Sequence, residues 1–125
     1  MSSSTILAVG HDPLLLKTRS QILREAGYTV VSVPSPSRAI ACLLEGEFDL
    51  IMVCHSIPVQ IRERLAELMR EQAVRTPIVT IAPSPAQQDA FADATIEDDP
   101  QRLLADLNEI LQERERTSED GTGFP

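Results

Sequence analysis

Hydrophobic positions along the chain alternate between two regimes. Short apolar runs occur at TILAV (residues 5–9), TVVSV (29–33), DLIMV (49–53) and IVTIA (78–82), with a weaker ATI at 94–96. Four of them are near-continuous, as strands are when both faces of a parallel sheet are covered. Between the runs, apolar residues recur at helical spacing. After the first run, Leu15, Thr18, Ile22, Leu23 and Ala26 form a stripe, and Gly27 stands where a left-handed helix cap is wanted. Ser35-Pro36 supplies an N-cap and a first-turn proline ahead of Ala39, Ile40, Leu43 and Leu44, with Gly46 closing that helix. A third stripe carries Ile61, Leu65, Leu68 and Met69 inward. Ser84-Pro85 opens a shortened fourth helix with Ala86, Ala90 and Phe91 in one stripe, and Asp99-Pro100 starts a fifth bearing Leu103, Leu104, Leu107, Ile110 and Leu111.

Strands alternating with helices across short loops imply right-handed crossovers and helices on both faces of one sheet. The pattern predicts an α/β, flavodoxin-like doubly wound fold: a five-stranded parallel sheet in the order 2-1-3-4-5, in three αβα layers. Residues 1–113 are read as this domain, and residues 114–125 as a disordered polar tail without period.

Charge and composition narrow the function. A chain of 125 residues makes one domain with a real core. Its 11 basic against 19 acidic residues give a net charge of −8, which opposes nucleic acid and anionic membrane surfaces as partners. No apolar run approaches the roughly 20 residues of a membrane span, and MSSST lacks the build of a signal peptide, so a cytoplasmic protein is expected. Cys42 and Cys54 form no CxxC pair and are read as free thiols. Val9-Gly10-His11-Asp12-Pro13 has one glycine where a dinucleotide loop needs three, which argues against a nucleotide-binding enzyme.

Ligand crevices of open parallel sheets lie beyond the carboxyl ends of the strands. That rule gathers Gly10, His11 and Asp12 after the first strand, Cys54 and His55 after the third, Ala82 and Pro83 after the fourth, and Asp98 and Asp99 after the fifth. At these positions the chain resembles the receiver domains of two-component response regulators. The matching features are the proline in AVGHDPLLL, the run FDLIMV, the proline in CHSIP, the TPIV that opens the fourth strand, and the proline in EDDP, together covering the chain to about Leu111.

The resemblance implies a signalling protein, yet the family's chemistry does not carry over. Receivers hold Mg²⁺ with an acidic pair, accept phosphate on an Asp, and use a Thr or Ser and a Lys beside it. On this chain those positions fall on Gly10 and His11, Cys54, Ala82 and Asp99; a slip of one residue would make His11 and Asp12 the pair. The expectation is therefore a degenerate pseudo-receiver without phosphoryl chemistry, cofactor or metal, acting on protein partners in a phosphorelay-type pathway, with homodimerisation open. Asp99 before Pro100 reads as a helix cap. The rival reading is a small redox or metal sensor built from Cys54 with His11 or His55. Arg62, Glu63, Glu67, Arg70 and Glu71 read as a solvated face. Leu14 and Leu16 lie off the inferred inward face of the first helix and Leu104 at the edge of the fifth helix's stripe, and the three form a candidate interaction surface.

Overall fold

The computed structural model describes residues 4–73, 75–84 and 87–122. The elements are β1 (Thr5–Val9), α1 (Pro13–Glu25), β2 (Thr29–Val33), α2 (Pro36–Glu45), β3 (Leu50–Cys54), α3 (Val59–Gln72), β4 (Ile78–Ala82), β5 (Ala94–Glu97) and α4 (Pro100–Thr122). All strand pairs are parallel, in the order β2-β1-β3-β4-β5, with Ile6 opposite both Val30 and Leu50, Met52 opposite Val79, and Ile81 opposite Ile96. This is the fold and strand order that the hydrophobic pattern predicts.

Period-two alternation sorts the strand residues between two cores. On the first face Ile6, Ala8, Leu50, Met52, Cys54, Val79, Ile81 and Ile96 meet Leu16 and Leu23 of α1 and Leu103, Leu107 and Leu111 of α4. On the second, Leu7, Val9, Ile51, Val53 and Ile78 meet Ala39 of α2 and Leu65, Ala66 and Met69 of α3. Local signals set the helix ends. Asp12 and Ser35 cap α1 and α2 through their side chains, each ahead of a proline in the first turn. Gly27 follows α1 at φ +101°, a left-handed conformation that only glycine adopts at no steric cost.

Four expectations are corrected. The third strand runs one residue later than DLIMV, because the Asp49 carboxylate accepts the Thr5 N–H at 2.8 Å and pairs with Arg114 at 3.0 Å instead of extending the strand. The inward face of α1 is rotated: Leu16, Arg19, Ser20 and Leu23 are buried, whereas Leu15 is exposed. On α3, likewise, Arg62 is buried and Ile61 exposed. Both stripes include a cation whose fixed partners let it face inward, which apolar spacing alone cannot reveal. Finally, the last helix continues over residues 114–122 of the segment expected as a structureless tail, whose residues 123–125 lie outside the described residues. Glu and Arg following the last buried leucine are good helix formers and carry the helix past its apolar stripe.

No helix forms among the described residues between β4 and β5; Pro85 and Ala86 of the expected fourth helix lie outside them. The reason is on the sheet. Right-handed crossovers place this connection on the second face, beside α3. There β4 and β5 present Thr80 and Thr95, whose hydroxyls bond each other at 3.0 Å, so this part of the face offers a helix stripe polar rather than apolar contact. Residues 87–93 cross this polar surface as turns, and Phe91 packs onto the second core.

Candidate functional site

The carboxyl ends of β1, β3, β4 and β5 do converge, but their side chains close the crevice rather than line a cation site. Gly10 sits against β3: a Cβ at this position would lie 3.2 Å from the Cys54 Cβ and 3.3 Å from the Ser56 Oγ. The Ser56 hydroxyl accepts the N–H of His11 at 2.9 Å and of Asp12 at 3.4 Å, tying the β3–α3 turn to the β1–α1 turn. The Asp12 carboxylate turns away into α1, accepting the N–H groups of Leu14 and Leu15. His11 is exposed and Ala82 wholly buried. The Asp99 carboxylate accepts the Gln101 N–H at 3.0 Å and caps α4, as its place before Pro100 implies.

The charge at the centre of the crevice comes from Arg19. Its guanidinium, 8 % exposed, forks onto Asp98, with Nε to Oδ1 at 3.2 Å and Nη2 to Oδ2 at 2.7 Å. Burial opposes its charge, but the hydrogen bond to Asp98 and the facing groups raise its pKa above the ordinary value. The same cation acts on Cys54 by charge and hydrogen bonding. Burial nevertheless dominates there and pushes the thiol up, so Cys54 is a protonated core residue near neutral pH. Mg²⁺ requires several oxygen ligands in octahedral array. Here one carboxylate caps a helix, one is bound through both oxygens to a guanidinium, and the acceptor position is a thiol; these residues do not fit Mg²⁺.

A second charged cluster lies on the other sheet face. Arg62 of α3, 6 % exposed, donates from Nε and Nη2 to the two oxygens of Asp89 at 3.3 and 3.1 Å, and from Nη1 to the Ile57 carbonyl at 2.6 Å. The His55 Nε2 lies 2.9 Å from Asp89 Oδ2, and the Asp89 N–H donates to the Thr95 hydroxyl at 3.0 Å. Burial alone would raise the Asp89 carboxyl, but hydrogen bonds from Arg62 and Thr80 and the neighbouring charges outweigh it and hold the group below its ordinary value. His55 is lowered, first by burial and then by the Arg62 charge, against the opposing pull of Asp89. His55, Val59, Arg62, Pro83, Gln87, Gln88 and Asp89 line an open groove of about 650 Å³.

The structure thus separates the residues of the redox and metal reading. His11 is exposed, Cys54 lies in the first core, and His55 is engaged by Asp89 on the second face. Among the described residues no three His, Cys, Asp or Glu side chains are grouped to hold a metal ion. Of the three leucines of the candidate surface, Leu14 is 73 % exposed and Leu104 is partly buried against the first core, whereas Leu16 is corrected: it is buried in that core on the inward face of α1. Sequence reasoning missed Arg19, Ser56, Arg62 and Asp89. A signal existed for the first, since Leu16, Arg19, Ser20 and Leu23 share helical spacing as well as the chosen stripe does.

No protein-family model and no curated protein matches the chain. Solved structures do. The chemotaxis response regulator CheY4 of Vibrio cholerae superposes with a TM-score of 0.74 at 24% identity, covering 87% of this chain and 99% of that one. The signal receiver domain of an HD domain-containing protein from Pseudomonas fluorescens gives 0.80 at 20% identity, covering 95% and 94%. The response regulator TrrA, solved in complex with the histidine kinase ThkA, belongs to a structure that gives 0.75 at 20% identity, covering 86% of this chain and 98% of the matched chain. At these identities the likeness establishes the fold, which is that of CheY-like receiver domains.

Proposed function

We propose that this chain is a receiver-like module of a two-component-type pathway that signals through protein contact and performs no phosphoryl transfer or other catalysis. The observation that carries the reading is the Arg19–Asp98 pair beside Cys54: a fixed guanidinium and a thiol stand where phosphoryl chemistry needs an exchangeable cation and a carboxylate. A neighbour of this fold has been solved with a histidine kinase, which supports a protein of that signalling class as the kind of partner. Among the described residues no helix is long and apolar enough to cross a membrane. That agrees with a cytoplasmic setting, as does the reading of Cys42 and Cys54 as free thiols.

The test has two parts. Incubated with a small acyl-phosphate donor and Mg²⁺, the intact chain gains no phosphoryl mass, and its thermal midpoint does not respond to Mg²⁺. A stoichiometric mass gain, or a saturable Mg²⁺ shift, overturns the non-catalytic reading. Capture from native lysate then recovers a signalling protein that the Leu14→Glu chain, altered at the most exposed leucine, retains or loses according to which surface is used. Recovery of no protein under cross-linking overturns the contact reading.

A further inference from the structure

The connection between β4 and β5 is held to α3 by polar anchors. Arg62 and His55 grip Asp89; Arg70 donates to the Phe91 carbonyl at 2.8 Å and pairs with Asp93 at 3.4 Å; Asp93 also accepts the Ile78 N–H at 2.7 Å. Such contacts are electrostatic and breakable in a way that a buried apolar helix is not. We infer that residues 87–93 form a latch over the polar half of the second sheet face, and that mild acid opens it through His55. The latch deepens the proposed function, since it supplies a phosphate-independent input, but its test does not depend on that function.

A carboxylate can only accept, so the neutral ring carries its proton on Nε2, facing Asp89 Oδ2, and keeps a lone pair on Nδ1. A second proton would create a cation in a half-buried site. The charged groups that face it are Asp89 of the latch, Arg62 of α3 and, at longer range, Arg19 of α1: two cations against one carboxylate that Arg62 already clasps. Closed, the latch therefore disfavours the second proton, in keeping with the lowered pKa of His55. Gln87, Gln88 and Asp89, three of the seven residues lining the groove, belong to the latch. Opening returns the ring to water and removes the burial that is the largest cause of the shift.

The open state then binds more protons than the closed one. Its population is flat above the ordinary imidazole value of about 6.5 and rises as pH falls from there toward the closed-state value. Each unit between the two values allows up to a roughly tenfold change in the opening constant. Asp89, held below the ordinary carboxyl range, titrates in a separate and more acidic window.

Amide exchange on the full chain tests this directly. The N–H groups of Asp89, Ala92 and Asp93, bonded to the Thr95 hydroxyl and the carbonyls of Asp89 and Ile78, report the latch; that of Ile51, bonded to the Pro77 carbonyl, reports the core. Between about pH 7.5 and about pH 5.5, on either side of the imidazole value, latch protection factors fall roughly threefold or more while Ile51 is unchanged. In His55→Gln, which keeps a donor toward Asp89 without titrating, latch protection stays flat. Unchanged protection in the native chain, an equal fall in His55→Gln, or a fall shared by Ile51 overturns the inference. Should His55→Gln fail to fold, NMR titration of the native ring decides: a value at or above that of free imidazole overturns it. Phosphoryl uptake in the earlier assay would leave the latch result standing, and a failed latch would leave the proposed function standing.

Discussion

Replacing Arg62 by methionine removes a buried cation while keeping much of its apolar stem. Two side chains, each only 7 % exposed, then lose their ion pair: the Asp89 carboxylate keeps His55 but no fixed charge, and the Ile57 carbonyl loses a 2.6 Å donor. Breaking a buried pair from one side costs about 3–5 kcal/mol because the remaining charge is uncompensated. Each kcal/mol moves the midpoint of a domain this size by about 4 °C, so Arg62→Met lowers Tm by roughly 12–20 °C. The exposed Arg64–Glu67 pair, at 67 and 55 % exposure, is the control: its loss costs no more than about 0.5 kcal/mol. Adding Asp89→Asn to Arg62→Met removes the stranded charge and recovers about half of the loss, a coupling of roughly 1.5 kcal/mol or more in a double-mutant cycle. Urea or thermal unfolding of the native chain and four variants, Arg62→Met, Asp89→Asn, their combination and Arg64→Ala, measures all of this. A cost for Arg62→Met below about 1 kcal/mol, or one equal to that of Arg64→Ala, refutes the claim that this pair holds the β4–β5 connection.

Asp89 sits below its ordinary carboxyl value in the folded state, so its contribution is complete above about pH 4 and disappears as pH falls through the lowered native value; urea midpoints against pH lose this acid limb in Asp89→Asn. Cys42 packs against the second core and Cys54 lies in the first, on opposite sheet faces, so no disulfide joins them. A thiol reagent modifies Cys42 in the native protein and Cys54 only on unfolding, as peptide mapping shows; equal native rates would contradict the burial and raised pKa of Cys54. Gly10→Ala drives a methyl to 3.2 Å from the Cys54 Cβ, and its cost of about 1–2 kcal/mol, read from urea unfolding, reports how tightly the crevice is closed.

The architecture was legible because it depends on local pattern. Continuous apolar runs such as IVTIA, the capping pairs Ser35-Pro36 and Asp99-Pro100 and the left-handed Gly27 each act within a few residues, and together they dictate strand, helix and turn in one order. Right-handed crossovers then leave little freedom in strand order. The departures from the receiver pattern at Gly10, Cys54, Ala82 and Asp99 are likewise a matter of residue type and need no coordinates.

The tertiary structure alone decided which charges point inward. A stripe of leucines at 14, 15 and 16 admits two helix rotations, and the choice depends on whether the Arg19 cation finds Asp98, which is 79 residues away. Arg62 is legible as surface charge until Asp89, distant in sequence, crosses the sheet to meet it. Among the described residues the expected fourth helix is absent for the same reason, since part of its docking surface is set by Thr80 and Thr95 pairing across two strands. Apolar burial is roughly additive along the chain and so can be read locally, whereas the burial of a charge is favourable only when a specific partner is already in place. The sequence by itself therefore determined the fold and the departures from the receiver pattern, and the three-dimensional pairing of charges decided the closed crevice and the polar anchoring of the β4–β5 connection.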